Sequence, residues 1–133
     1  MDASTRELSL HSKVPVPFFP DNLSVDDNGT LLVAGHPHAG SLEAFAKSRA
    51  LCNSPEGQGL EKCEQLTSPS GVAEWTEEGG LRVMYLSDEF STSCTAVRDV
   101  KMGVGIVTGL YTDGILVWRE RAEGSAEFRG DFD

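Results

Sequence analysis

The sequence predicts a mainly β protein in which one short helix interrupts a series of short strands. Three observations lead there. Runs of β-branched and apolar residues recur at short intervals, each bounded by Gly, Asn, Asp or Pro. Two of the bounding clusters, Asp26-Asp27-Asn28-Gly29 and Thr76-Glu77-Glu78-Gly79-Gly80, have the chemistry of hairpin turns. The best helical spacing falls on a single stretch, Ser41 to Cys52. Short strands with regular turn punctuation suit a propeller or a sandwich.

The elements follow in chain order. Glu7 to Val16 (ELSLHSKVPV) alternates and reads as a strand, with Pro15 and Pro17 fitting an edge position where a missing N–H costs little. Phe18 and Phe19 read as core anchors, with substrate binding as the alternative role. Asn22 to Val25 alternates polar and apolar, the Asp-Asp-Asn-Gly turn follows, and Thr30 to Ala34 (TLLVA) is its apolar partner strand. Gly35 to Gly40 is a loop carrying His36 and His38. Pro20 stiffens the entry to Asp21 and removes a donor. In an antiparallel pair the start of one strand meets the end of the other. Asp21, Asn22 and His36 are therefore expected at one sheet edge.

The helix over Ser41 to Cys52 has Ser41 as N-cap and Glu43 in its first turn. Leu42, Phe45 and Ala46 take i, i+3, i+4 spacing, and Lys47 and Arg49 lie toward the C-terminus. Asn53 to Ser70 reads as a mobile loop with a short helical turn in GLEKCEQL. Val72 to Trp75 and Leu81 to Leu86 form the second hairpin. Thr95 to Val100, Gly103 to Gly109 and Gly114 to Trp118 are three further β runs. Arg98 and Asp99 read as a surface or inter-strand pair. Gly103, Gly105 and Gly109 have G-x-G-x-x-x-G spacing with no helix after them, so a dinucleotide fingerprint is excluded.

A chain of 133 residues is long enough for one domain with a core. Its net charge of −10 disfavours nucleic acid and anionic membrane surfaces as partners. No apolar run approaches the roughly 20 residues of a membrane span. The N-terminal MDASTRELSLHSK has no apolar h-region, so no signal peptide is visible and a cytoplasmic location is the default expectation. Three cysteines do not make a disulfide framework. Cys52 and Cys63 flank the polar NSPEGQGLEK and are either bridged or reduced; their spacing does not suit zinc. Residues 119–133 (RERAEGSAEFRGDFD) are polar and charged and read as a disordered tail. That tail contains RGD at Arg129 to Asp131, a match with little weight in a chain with no visible export signal. Asn22-Leu23-Ser24 and Asn28-Gly29-Thr30 are glycosylation sequons, relevant in a secreted chain.

The candidate chemistry begins at Asp21 and Asn22. A carboxylate and an amide offer hard oxygens that suit Ca²⁺. The same two residues commonly cap turns, and both uses fit here. An EF-hand does not: counting back from Asn28-Gly29 puts Ser24 at the first ligand position and Gly35 where a Glu is needed. His36 and His38 lack an evident third ligand for zinc.

The segment PDNLSVDDNGTLLVAGHP (Pro20 to Pro37) resembles a signature of the serum paraoxonase/arylesterase family, six-bladed β-propeller, calcium-dependent lactonases and esterases. SLEAFAK (Ser41 to Lys47), SGVAEWTEEGGLRVMYL (Ser70 to Leu86) and TAVRDVKMGVGIVTGLYTDGILVW (Thr95 to Trp118) are similar to the C-terminal part of its fungal branch. The likeness covers about Lys13 to Trp118. It implies that residues 1–118 form a partial propeller of about two to three blades, since blades of this kind take about 40–45 residues each. It implies that Asp21 and Asn22 bind the catalytic calcium and that His36 lines the substrate pocket. The family's other calcium ligands and its catalytic histidine dyad lie in earlier blades, which this sequence does not contain. The resemblance thus implies the C-terminal portion of a calcium-dependent arylesterase or lactonase, inactive as an isolated chain, with a small ester or lactone as substrate once completed. The alternative is a non-catalytic remnant that self-associates, as a homo-oligomer, or binds another protein.

Overall fold

The computed structural model describes residues 8–110, 112, 114–122 and 124–131. Its strands are β1 (Phe19–Val25), β2 (Leu31–His36), β3 (Ser70–Thr76), β4 (Gly80–Ser87), β5 (Ser93–Asp99), β6 (Val104–Gly109), β7 (Ile115–Glu120) and β8 (Ala126–Asp131). Helix α1 (Ala39–Cys52), a 3₁₀ turn (Pro55–Gly57) and the short α2 (Glu61–Glu64) lie between β2 and β3. The strands form two four-stranded sheets, β1-β2-β3-β4 and β5-β6-β7-β8, each antiparallel and in chain order. The protein is mainly β, and neither sheet closes into a barrel. No helix among the described residues is long and apolar enough to cross a membrane.

The period-two geometry of a strand sends alternate residues to opposite faces. Leu32, Ala34, Val72 and Tyr85 of the first sheet meet Ala96, Val107, Leu116 and Trp118 of the second, with Phe90 from the connection between them. Each large side chain removed from water here contributes roughly 1.5–3 kcal/mol. Val33 points the other way and joins Phe18 and Ala73 in a second cluster, flanked by Val16, Leu31 and Leu81. Two glycines make these contacts possible. Gly105 lies opposite Trp118 in the β6–β7 register, and a β-carbon there would sit 2.0 Å from the indole ring. Gly71 accepts the Phe18 ring, which a β-carbon would meet at 2.8 Å. The glycines of the G-x-G-x-x-x-G run lie on β6 and its flanking turn, so their context is strand packing.

Several expectations from sequence are corrected. Residues 8–16 belong to no strand, and Glu7 lies outside the described residues. Pro15 and Pro17 withhold donors from any ladder, and the segment attaches instead through Val16 and Phe18. Phe19 is exposed, not a core anchor, and the apolar positions Leu23 and Val25 of β1 are also exposed. Helix α1 starts at Ala39, with His38 as its N-cap: His38 Nδ1 accepts from the Ser41 amide at 3.0 Å. Its first turn holds no acid, and Phe45 is its buried residue. The segment 53–69 contains the 3₁₀ turn and α2 and is tied down by a disulfide between Cys52 and Cys63, whose Cα atoms are 5.4 Å apart. Cys94 is free and buried.

The segment 119–131 is likewise no disordered tail over its described residues. β7 runs to Glu120, and β8 pairs with it from Ala126 to Asp131. Charge density does not prevent this, because the charges pair. Glu127 accepts from both Arg121 and Arg129, which hold its pKa down to about 2. Phe128 stacks on Trp118 at a centroid distance of 5.6 Å. The RGD run therefore lies in a strand. The two terminal residues fall outside the described set.

Candidate functional site

The β1–β2 turn fixes the geometry. The Gly29 amide donates to the Asp26 carbonyl at 2.9 Å, with Gly29 at φ +80°. Asp26 Oδ1 accepts from the amides of Asn28 (2.9 Å) and Thr30 (3.0 Å). From this turn the register runs Val25↔Leu31, Ser24↔Leu32 and Leu23↔Val33, then slips to Pro20↔Gly35 and Phe19↔His36. Asp21 and Asn22 occupy that irregularity, a β-bulge on an edge strand. Bulges re-aim side chains and recur beside functional sites.

The bulge brings Asp21 to His36: Nε2 of His36 lies 3.2 Å from Asp21 Oδ2. A carboxylate only accepts, so this bond places the ring proton on Nε2. His36 is 5% exposed, and its Nδ1 is buried without a partner. Asn22 goes elsewhere. Its Nδ2 donates to Thr95 Oγ1 on β5 at 3.0 Å, while Ser24 Oγ donates to the Ala96 carbonyl at 2.6 Å. These two bonds join the bulged strand to the second sheet. His38 is used elsewhere: its Nδ1 caps α1.

Asp21 and His36 line a groove of about 640 Å³ between β1 and α1. Its walls are apolar, with Phe19, Leu42, Phe45, Ala46 and Leu110, and Glu43 stands at its side. Such a groove with few convergent polar groups has the make-up of a small-molecule site. A smaller concavity of about 170 Å³ lies among Val117, Arg119, Glu127 and Arg129. It offers an already ion-paired carboxylate and no nucleophile or imidazole.

The residues present do not complete a calcium site. One Asp21 oxygen is engaged by His36, so Asp21 Oδ1 and Asn22 Oδ1 are the side-chain oxygens the bulge could offer a cation. Calcium takes six to eight oxygens. Among the described residues no group of three or more His, Cys, Asp and Glu side chains is placed to hold a metal ion.

One polar cluster escapes a sequence reading that pairs Arg98 with Asp99. Arg98 is 8% exposed and donates to Asp26, Glu74 and Glu120, drawing both sheets together at the turn end. Asp99 instead accepts from the Met102 amide in the next turn. Burial pushes the Asp26 carboxyl up, but the Arg98 guanidinium and the Thr30 and Asn28 amides outweigh it and hold its pKa below the usual aspartate value. The available signal was parity: Arg98 is two residues from Ala96 and shares its inward face.

A second cluster is a serine seam. Ser93 Oγ donates to the Gly35 carbonyl, the Ser93 amide donates to Ser70 Oγ, and the Ser68 amide donates to Ser91 Oγ. Thr92, buried at φ +55°, donates its amide to the Ser68 carbonyl and accepts from the amide of Leu110, the residue after β6. The seam tethers β2 and β3 to β5. Comparison of the chain with protein-family models, with curated proteins and with solved structures gives no match.

Proposed function

We propose that this chain is a two-sheet portion of a propeller-type, calcium-dependent esterase or lactonase, with the groove beside Asp21 and His36 as the seat of an ester or lactone. The observation that supports it is the bulge that sets an acid against a buried imidazole at the mouth of an apolar groove. Two consecutive antiparallel sheets packed face to face are also the arrangement of adjacent propeller blades. Phe19 and Phe45 give the groove aromatic walls suited to an aryl group. Calcium, where further oxygens complete its shell, supplies Lewis-acid polarisation of a carbonyl. The chain's own residues supply shape, an oriented imidazole and two of those oxygens.

The isolated chain is accordingly expected to bind without turning over. Phenyl acetate and an aromatic lactone, added to isotope-labelled chain, should shift the amide resonances of Phe19, His36 and Phe45. The shifts should weaken in His36→Ala, and no ester cleavage should follow. Shifts confined to other faces would refute the assignment.

A second reading, a non-catalytic module that associates with itself, is favoured by the apolar residues left open on the sheets. Leu23, Val25, Val83, Leu86 and Val97 are 41–66% exposed, and open sheet edges and apolar patches favour association. Sedimentation separates the two. A stable oligomer that Leu23→Lys dissociates, with no ester-induced shifts, would favour the module.

A further inference from the structure

Two independent features converge on a covalent modification. The chain holds a disulfide, Cys52–Cys63, fastening the end of α1 to α2. Disulfides persist in oxidising compartments such as the secretory lumen and are rare in the cytosol. The chain also carries two acceptor sequons for N-linked sugar, the transfer that takes place in that lumen. The structure treats the two differently. Asn22 spends its Nδ2 on Thr95 Oγ1, a bond between the sheets, and lies beside the Asp21–His36 pair. A glycan on that nitrogen would crowd the bond that joins the two sheets. Asn28 sits at the tip of the β1–β2 turn, exposed, and the local bond it makes is from its backbone amide to Asp26. Its neighbour Gly29 presents open space where a side chain would be.

We infer that Asn28 is an N-glycosylation site and that Asn22 is not. In the transfer, Nδ2 of Asn28 attacks the anomeric carbon of a lipid-pyrophosphate-linked oligosaccharide. A new C–N bond forms, the C–O bond to the pyrophosphate breaks, and the amide gives up one proton. Thr30, the third residue of the sequon, is 6% exposed in the folded protein. The transferase therefore acts on the chain before the hairpin closes, and the glycan then projects from the turn without disturbing the core.

Peptide mapping tests this on the chain isolated from the cells that make it, before and after treatment with peptide-N-glycosidase. The enzyme converts a glycosylated asparagine to aspartate. The expected result is aspartate at position 28 and asparagine at position 22. In the same cells, Asn28→Gln should abolish the enzyme-dependent gel shift and Asn22→Gln should leave it. Unmodified Asn28, or a glycan at Asn22, would overturn the assignment.

Discussion

Arg98 shows how much one side chain can carry. Its guanidinium faces three carboxylates, and Asp26 among them has a side chain fully withdrawn from water. Removing one partner of a buried ionic cluster leaves the others uncompensated, at a cost of about 3–5 kcal/mol. Arg98→Ala is expected to lose stability of that order in urea unfolding, whereas truncating the exposed Lys47 on α1 should change it by less than about 1 kcal/mol. Asp26 carries the pH dependence. Its folded pKa is depressed, so its contribution is fully present above the unfolded value near 3.9 and is lost as pH falls through the folded value. Asp26→Asn should flatten that part of the acid limb of a stability-against-pH curve. An unchanged limb would mean that the cluster forms without ionising Asp26. The chemistry of this residue was visible in the sequence only as turn-forming. Its second role needs Arg98, 72 positions away, and no local pattern encodes a pairing at that separation.

Among the elements, those bounded by turn chemistry were the most legible. Asp26 to Gly29 and Thr76 to Gly80 mark hairpins because only such residues satisfy the turn geometry, and both hairpins are present. The hairpin places the acid and imidazole of the candidate site at one end of the β1–β2 pair, and the bulge, which no local pattern announces, brings them together. What the pattern could not give was burial. β1 alternates as a half-buried strand does, yet it is an edge, so Leu23 and Val25 stay exposed. β8 has the composition of a disordered segment and is recruited by its neighbour through Phe128, with Glu127 ion-paired to Arg121 of the turn and to Arg129 on the same strand. Gly105 was ambiguous for the same reason, since its meaning resides in Trp118 across the ladder. Gly105→Val should therefore destabilise by at least about 1–3 kcal/mol, the cost of overpacking, and should alter the near-ultraviolet dichroism of Trp118. The disulfide belongs to this scale as well. Cys52→Ser should cost about 2–3 kcal/mol on the chain-entropy model and should speed amide exchange in residues 53–66 before the sheets are affected.

For the whole molecule, two sheets packed face to face leave each with a second, outward face. The first sheet covers part of its own with Val16 and Phe18. The second presents Val97 and, beside it in register, Ile106 and Val117. On the proposed function, these partly exposed residues would be covered by neighbouring blades. On the same reading, the bulge at Asp21 and Asn22 would offer two oxygens to a calcium ion, and the remaining ligands would come from outside this chain. A titration of calcium into the isotope-labelled chain, followed residue by residue through its amide resonances, tests this most directly. Weak binding, with a Kd of roughly 10⁻³ M or above, should move Asp21 and Asn22 and be lost in Asn22→Ala. Shifts at Asp26 and Asp27 alone, or none in the bulge at any calcium concentration, would contradict it.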